Sequence, residues 1–248
     1  AWDAVGKLTN RSLAQMIGGT KQRVPVGIVL DVNADVNDIK RAIDKGYQRI
    51  KIKIDAQLLD KKKLIERLNQ FPNQQFSLDA NSSFSRQTAD FFNQLPENVA
   101  FIEQPFSEND FVNHAFLQKN TPHFLSLDES INSLDDINTM IALHAAKAIT
   151  IKQAKIGGIT AALKAIQLAS RAGIKPWIGG MLSSNLGRAV DLAMASLPNI
   201  TFAGDISESS HYFEHDITVE TFEITEGLMT VPTQNGLGVT LDDSFDVL

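Results

Sequence analysis

The stretch Gln48-Arg49-Ile50-Lys51-Ile52-Lys53 is a short run rich in β-branched residues that ends in a lysine. Runs of this kind recur about every 25 residues, and a helix-like stretch follows each of them. One strand, one turn and one crossover helix together take this length of chain. The eight runs cover residues 24–30, 48–53, 75–79, 99–103, 124–128, 148–152, 175–179 and 200–204.

The segments between the runs have the spacing of amphipathic helices. In residues 35–45, apolar side chains recur at Val36, Ile39 and Ile43, and Gly46 ends the pattern. Helices are also predicted for residues 1–19, 159–172 and 185–197. Strands that alternate with helices predict a parallel sheet, because parallel neighbours need a crossover between them. Their equal spacing favours an α/β fold of the closed (β/α) barrel type over an open doubly wound sheet, which is the alternative.

The regular period ends near residue 210, which divides the chain into two parts. Residues 1–216 are predicted to form the (β/α) barrel catalytic domain, and residues 217–248 a C-terminal tail. The tail has an alternating pattern interrupted by Glu226-Gly227, which is typical of a β-hairpin. The apolar positions of this pattern are Val219, Phe222, Ile224, Leu228, Met229 and Val231.

Composition argues against several classes of function. The chain has 29 acidic and 23 basic side chains and a net charge of −6, so we expect no nucleic acid and no membrane surface as a partner. There is no cysteine, which excludes disulfides, thiolate nucleophiles and cysteine-ligated metals. No apolar run approaches the roughly 18 residues that span a bilayer. We expect a cytoplasmic protein that acts on a small molecule and whose true N-terminus lies upstream of Ala1; a homo-oligomer remains open.

Five successive runs end in a charged side chain, in the order Lys53, Asp79, Glu103, Asp128 and Lys152. An unpaired charge inside a strand costs several kcal/mol, so packing of the core does not explain this pattern. In a (β/α) barrel the C-terminal ends of the strands converge on one mouth, where active sites of this architecture lie. The five charges therefore predict an active site at that mouth.

The types of these residues indicate metal chemistry. Asp79, Glu103 and Asp128 come from three adjacent strands and would repel one another unless a cation lay among them. Three hard oxygen ligands suit Mg²⁺, with Mn²⁺ as a substitute. Lys53 and Lys152 flank the carboxylates, and a dication and a second ammonium would lower the pKa of a lysine enough to make it a base. The alternative is a pair of lysine–carboxylate ion pairs that stabilise the barrel rim, but three acids outnumber what such pairs require.

Weaker signals have two interpretations each. His211 and His215 have the spacing of zinc ligands on a helix, but no acidic partner completes a zinc motif. Gly157-Gly158 predicts either an anion site at a helix N-terminus or a tight turn. Asp205 is either a charge on the rim, which we favour, or a residue of the substrate pocket.

Taken together, the motifs resemble the enolase superfamily, and within it the muconate-lactonising branch with its lysine-x-lysine motif on the second strand. The group that they resemble most is that of o-succinylbenzoate synthases and N-acylamino acid racemases, and the likeness covers nearly the whole chain. The motifs are Lys51-Ile52-Lys53, Asp79-Ala80-Asn81, Ile102-Glu103-Gln104-Pro105, Leu127-Asp128-Glu129-Ser130, Ile151-Lys152 with Gly157-Gly158-Ile159, Gly179-Gly180-Met181-Leu182, and Gly204-Asp205-Ile206-Ser207.

The resemblance implies a role for each matching position. Asp79, Glu103 and Asp128 would be the Mg²⁺ ligands, as in a superfamily that combines a lysine or histidine base with this ion. Lys53 and Lys152 would be catalytic residues on opposite faces of the substrate. The remaining two site residues, Lys51 and Asn81, would bind the substrate near its carboxylate.

The resemblance also implies a TIM-like, enolase-type modified barrel. Members of the superfamily carry an N-terminal α+β capping domain, which this chain does not contain, and the tail 217–248 would pack on it. The implied activity is that of a Mg²⁺-dependent lyase, which removes a proton α to a carboxylate and eliminates water to form o-succinylbenzoate in menaquinone biosynthesis. Racemisation of N-acylamino acids at the same site is the alternative, and a non-catalytic barrel scaffold is a third interpretation. The sequence Asp205-Ile206-Ser207 lacks the Asp-x-Asp of dipeptide epimerases, which argues against a dipeptide substrate.

Overall fold

A parallel seven-stranded sheet lies at the centre of the computed structural model, which describes residues 1–244. Strands β2 to β8 follow the order of the chain, and each neighbouring pair is parallel, as the alternating pattern predicts. The strands are β1 (Arg23–Pro25), β2 (Gly27–Leu30), β3 (Arg49–Lys53), β4 (Gln75–Asp79), β5 (Val99–Glu103), β6 (Phe124–Leu127), β7 (Ala148–Ile151), β8 (Lys175–Ile178) and β9 (Leu228–Thr230).

The helices lie between these strands and mostly match the predicted ones. The prediction of one helix over residues 1–19 is wrong, because Asn10 adopts a left-handed conformation and Ser12 caps a new helix. A 3₁₀ helix, Ala89–Gln94, takes the place of an α-helix between β4 and β5. The α-helices are α1 (Trp2–Thr9), α2 (Leu13–Ile17), α3 (Val36–Asp44), α4 (Lys61–Asn69), α5 (Phe111–Asn120), α6 (Leu134–Leu143), α7 (Ile159–Arg171) and α8 (Asn185–Ala195). None of them is long and apolar enough to cross a membrane.

The eighth predicted run is not a strand, although it closes the barrel. Residues 200–205, called the closing segment below, bridge the two edge strands through a few backbone hydrogen bonds: two to β8 and one to β2. The N–H of Thr201 donates to Pro176 of β8 over 3.0 Å, and the N–H of Gly27 in β2 donates to Gly204 over 2.7 Å. A ladder does not form, because the carbonyl of Ala203 accepts hydrogen bonds from the Arg49 side chain.

The first predicted run, residues 24–30, divides into two strands. Pro25 has no N–H to donate, and the N–H of Val26 turns to Gly227 in the tail. β1 therefore pairs antiparallel with β9, while β2 alone joins the barrel sheet.

The tail forms the predicted turn but not the predicted hairpin. Glu226 and Gly227 both have positive φ, as a tight hairpin turn requires. β9 then pairs with β1, because the segment before the turn contributes only an isolated bridge, Thr225 to Leu228. The packing of the tail on a capping domain stays a prediction, and its residues 245–248 lie outside the described part.

The buried Arg49 holds the closing segment against β3 and β4. Its Nε and Nη2 donate to the carbonyl of Ala203 over 2.9 and 2.7 Å, and its Nη1 donates to Ser77 over 2.6 Å. The guanidinium also pairs with Asp205 and stacks on Trp177, with 4.7 Å from Cζ to the ring centroid. One side chain thus satisfies the backbone carbonyl of Ala203, which regular strand pairing would otherwise satisfy, and also ties the side chains of Ser77 and Asp205 to β3.

We predict that Arg49→Met lowers the free energy of unfolding by about 3–5 kcal/mol, because it leaves a buried carboxylate and a buried carbonyl without this partner. Urea unfolding followed by circular dichroism measures the change. The matched control is Arg41→Met, since the side chain of Arg41 is 66% exposed in its ion pair with Asp38. The control should cost less than about 1 kcal/mol. Equal losses in the two variants would contradict the closing role of Arg49.

Candidate active site

The C-terminal ends of the strands bring the five predicted charges to one mouth of the barrel. Lys53, Asp79 and Glu103 are the last residues of β3, β4 and β5, while Asp128 and Lys152 directly follow β6 and β7. The cavity at this mouth has a volume of about 710 Å³, which is the size of a small-molecule site. The predicted site residues on its wall are Lys51, Lys53, Asp79, Asn81, Asp128 and Lys152.

Strand β3 carries three basic side chains on one face. Side chains alternate across a strand, so Arg49, Lys51 and Lys53 all point into the barrel. Sequence reasoning missed Arg49, although this spacing of two would have placed it below the two lysines. Lys53 is the outermost of the three, with 42% of its side chain exposed.

Each predicted catalytic lysine pairs with a carboxylate across the mouth. Lys53 Nζ lies 2.7 Å from Asp79 Oδ2, and Lys152 Nζ lies 2.5 Å from Asp128 Oδ2. The ion pairs of the alternative interpretation are therefore present. In the order of the strands, Lys53 on β3 and Lys152 after β7 flank the strands that carry the three carboxylates.

Lys51 lies at the centre of the charged cluster. Its Nζ is 3.0 Å from Asp79, 2.9 Å from Glu103 and 2.5 Å from Asp205. Burial lowers the pKa of Lys51, but the three carboxylates outweigh burial and hold that pKa well above its usual value. Lys51 is thus a permanent cation whose three donors are directed at these carboxylates.

Glu103 is fully buried beneath the cavity and does not line it. Burial raises the pKa of Glu103 to about 8; Lys51 opposes this rise, and the carboxylates of Asp79, Asp128 and Asp205 add to it. The carboxylates of Asp79, Asp128 and Asp205 therefore lie close enough to Glu103 to disfavour its ionised form. A cation among these carboxylates would favour that form.

The donor set fits a hard divalent cation. Besides the carboxylates that crowd Glu103, Asp128 Oδ1 is buried and has no hydrogen-bond partner in residues 1–244. Carboxylate oxygens are the ligands that Mg²⁺ prefers. As the side chains stand, however, the described part of the chain contains no group of three or more histidine, aspartate or glutamate side chains placed to hold an ion. Binding of Mg²⁺ therefore requires the carboxylates of Asp79 and Asp128 to give up their ion pairs with Lys53 and Lys152.

The pKa of Lys152 moves in the direction opposite to the expected one. Burial lowers this pKa, but the Asp128 carboxylate outweighs burial and raises it. The expected lower pKa assumes that a dication neutralises the Asp128 carboxylate. In the structure this carboxylate pairs with Lys152 itself.

Asn81 contacts Lys53. Two further residues at the mouth, Glu129 and Lys155, were not predicted from the sequence as site residues. Asn81 Oδ1 accepts a hydrogen bond from Lys53 Nζ over 2.7 Å, and Asn81 Nδ2 donates to Glu129 over 2.9 Å. Lys155 donates to the backbone carbonyl of Asp128 over 2.5 Å. Glu129 directly follows a predicted ligand and Lys155 lies three residues beyond Lys152, so neighbourhood in sequence was the available signal.

The weaker signals resolve in different ways. Asp205 is buried and lines the cavity, so the favoured interpretation as a rim charge is wrong. His211 ends a short 3₁₀ helix, so His211 and His215 do not share a helix face. Gly157 and Gly158 both have positive φ, and the N–H of Gly158 donates to Gln153, which favours the tight turn.

A larger groove of about 890 Å³ lies outside the barrel, along α5 and α6. None of the predicted site residues lines it, and no carboxylate converges there. The converging charges, and not the volume, mark the mouth as the candidate active site.

The chain is similar to known proteins over nearly its whole length. The family model described as Enolase C-terminal domain-like matches residues 34–245. The o-succinylbenzoate synthase of Listeria innocua is 37% identical over 97% of this chain, which spans 66% of that protein. The N-succinylamino acid racemase of Thermus thermophilus is also 37% identical, over 98% of this chain and 67% of its own length.

A solved structure of an enolase-superfamily protein from Enterococcus faecalis superposes with a TM-score of 0.93. It is 38% identical, and the match covers 98% of this chain and 67% of that protein. The family model, the relatives and the fold agree, and the chain belongs to the enolase superfamily through its Enolase C-terminal domain-like region.

Proposed function

We propose that this chain carries the active site of a Mg²⁺-dependent o-succinylbenzoate synthase of menaquinone biosynthesis. The observation that supports the proposal is the strand order: Lys53 on β3 and Lys152 after β7 flank the three strands whose ends carry the predicted ligands Asp79, Glu103 and Asp128. The synthase name of several relatives supports the choice of reaction.

Each residue of the mouth has its own role in the proposed reaction. Asp79, Glu103 and Asp128 would hold Mg²⁺, which supplies stabilisation of the negative charge that develops on the substrate carboxylate. Lys53 takes the α-proton of the substrate and assists the departure of the hydroxyl group. The proton and the hydroxide leave as water, and the electron pair of the C–H bond forms the new double bond. Lys152 stays a cation on the opposite face and stabilises the charge that develops there.

We predict that Asp128→Asn weakens Mg²⁺ binding at least about tenfold, since it removes one anionic ligand. Isothermal titration calorimetry measures the affinity, and circular dichroism verifies that the fold survives. The matched control is Asp135→Asn, a change at an exposed position on α6 that should leave affinity unaltered. Unchanged Mg²⁺ affinity in Asp128→Asn would refute the three-carboxylate site. A catalytically inactive scaffold need not bind the ion at all.

Racemisation of N-acylamino acids is the second candidate. Lys152 lies as close to its carboxylate as Lys53 does, so the site offers a proton-transfer group on each face. The racemase name of the Thermus relative favours the same reaction. Racemisation needs both lysines, because the proton leaves one face and returns to the other.

The two reactions make different demands on the lysines, and substitutions separate them. Lys53→Ala should lower kcat for dehydration by about 10²–10⁴-fold, the range of general base catalysis. Lys152→Arg keeps a cation and should retain part of the dehydration activity, whereas either change should abolish racemisation. Both activities are assayed in D₂O so that exchange of the α-proton is also recorded. Rapid racemisation without dehydration by the unsubstituted protein would replace the first candidate by the second.

We further propose that a domain outside this chain covers the mouth. Large apolar side chains at the rim of the cavity are exposed, at 44% for Val29, 44% for Met181 and 72% for Leu182. An apolar rim around a charged cavity is suited to contact with another domain. Such a cover would exclude water from the reacting groups.

The 248-residue chain on its own should therefore be a slow enzyme. A form that also carries the covering domain should have a kcat/KM at least about tenfold higher, or about 1.4 kcal/mol in transition-state stabilisation. Steady-state kinetics of the two forms at saturating Mg²⁺ measure the difference. Equal values would mean that the open barrel suffices.

A further inference from the structure

A chain of two hydrogen bonds links Lys53 to Glu129, a residue with no role in the mechanism above. Lys53 Nζ donates to Asn81 Oδ1 over 2.7 Å, and Asn81 Nδ2 donates to Glu129 Oε1 over 2.9 Å. The other oxygen of this carboxylate, Oε2, is buried and has no hydrogen-bond partner in residues 1–244. A buried carboxylate oxygen without a partner is costly, so stability alone does not account for this side chain.

The charges at the two ends decide which way the Asn81 amide faces. An ammonium can only donate hydrogen bonds and a carboxylate can only accept them. With Lys53 on one side and Glu129 on the other, the amide has one orientation that satisfies both neighbours. Glu129 therefore keeps the carbonyl oxygen of Asn81 directed at Lys53.

Gln104 fixes the backbone at both ends of this chain. Its carbonyl accepts from the N–H of Ser82, next to Asn81, over 2.8 Å. Its side-chain Oε1 accepts from the N–H groups of Asp128 and Ser130, on either side of Glu129, over 2.9 and 3.3 Å. Gln104 is fully buried. The distance between the Asn81 and Glu129 side chains is thus set by the core of the barrel.

We propose that Glu129 is a positioning residue for Lys53: by orienting the Asn81 amide, it holds the Lys53 ammonium at one face of the cavity. The inference rests on the proposed function, in which Lys53 transfers the α-proton. Both lysines bond directly to a carboxylate, Lys53 to Asp79 and Lys152 to Asp128, but in residues 1–244 only Lys53 also bonds to a side-chain amide. Loss of the Glu129 carboxylate should therefore affect one face of the substrate and spare the other.

Exchange of the α-proton in D₂O tests this asymmetry. The two enantiomers of an N-succinylamino acid are incubated separately with the Mg²⁺-loaded protein, and Lys53→Ala and Lys152→Ala assign each enantiomer to its lysine. The amide introduced by Glu129→Gln can present either its oxygen or its NH₂ group to Asn81. The orientation of the Asn81 amide is therefore no longer fixed. It should slow exchange at the Lys53 face about tenfold in kcat, with little change in KM, and leave the Lys152 face within about twofold. The matched control is Glu97→Gln, an exposed position before β5 at the other end of the barrel, which should change neither rate.

A second variant reverses the polarity of the bond between positions 81 and 129. The carboxylate introduced by Asn81→Asp would accept from Lys53 but repel Glu129, so this variant should be slow at the Lys53 face. Combining it with Glu129→Gln lets the new amide donate to the new carboxylate. The double variant should exchange several times faster than Asn81→Asp alone, a rescue that a general loss of packing would not produce. A double variant as slow as Asn81→Asp, or equal slowing of both faces by Glu129→Gln, would overturn the proposal.

The side-chain amide of Asn81 provides a readout that is independent of activity. Its NH₂ resonances in ¹⁵N-labelled protein, identified by their loss in Asn81→Asp, should move upfield in Glu129→Gln because the bond to a charged acceptor is lost. An unchanged resonance would overturn the proposal even if exchange were altered. If the unsubstituted protein exchanged neither enantiomer while the resonance moved, the proposed function would fail and the bond from Asn81 to Glu129 would stand.

Discussion

The Lys51 ammonium inside the barrel is the interaction on which the rest of the site depends. Its three donors are directed at carboxylates from β4, β5 and the closing segment, which are far apart in sequence. Without this cation the buried carboxylates would repel one another in a medium that solvates charge poorly. Arg49 supports the same arrangement from below, because it binds the closing segment at Asp205 and Ala203. The same buried ion pairs therefore close the barrel and hold the carboxylates of the mouth together.

Burial is the main cause of the raised pKa of Glu103, and the neighbouring carboxylates of Asp79, Asp128 and Asp205 add to it. Repulsion among these carboxylates suits the mouth to a cation. The two outer lysines stand over the same cluster but are held differently: Lys53 through Asn81 and Asp79, and Lys152 through Asp128. Both faces of the cavity thus carry a lysine, but the two lysines have different hydrogen-bond partners. A substitution can therefore change the position of one lysine without changing that of the other.

Much of this arrangement was predictable from local patterns. The period of about 25 residues indicated the parallel barrel, and a charge at the end of each of five runs indicated its active mouth. The predictions from sequence failed where a backbone group pairs with a partner that is distant in sequence. The closing segment is no strand because the Arg49 side chain takes the carbonyl of Ala203, and β9 pairs with β1 because the tail folds back across the whole domain. Hydrophobic periodicity contains no information on such partners.

The sequence by itself determined which residues reach the mouth, because alternation along a strand and the repeat between strands are both local properties of the chain. It thereby placed Lys53, Asp79, Glu103, Asp128 and Lys152 together, and the lysine-x-lysine spacing placed Lys51 beneath them. Only the tertiary structure decided the pairing of those charges: that Asp205 lies inside the cluster, that Glu103 is buried below the cavity, and that Glu129 reaches Lys53 through Asn81. The reason is physical: Coulomb energy and desolvation depend on distances across the barrel, and no interval along the chain encodes those distances.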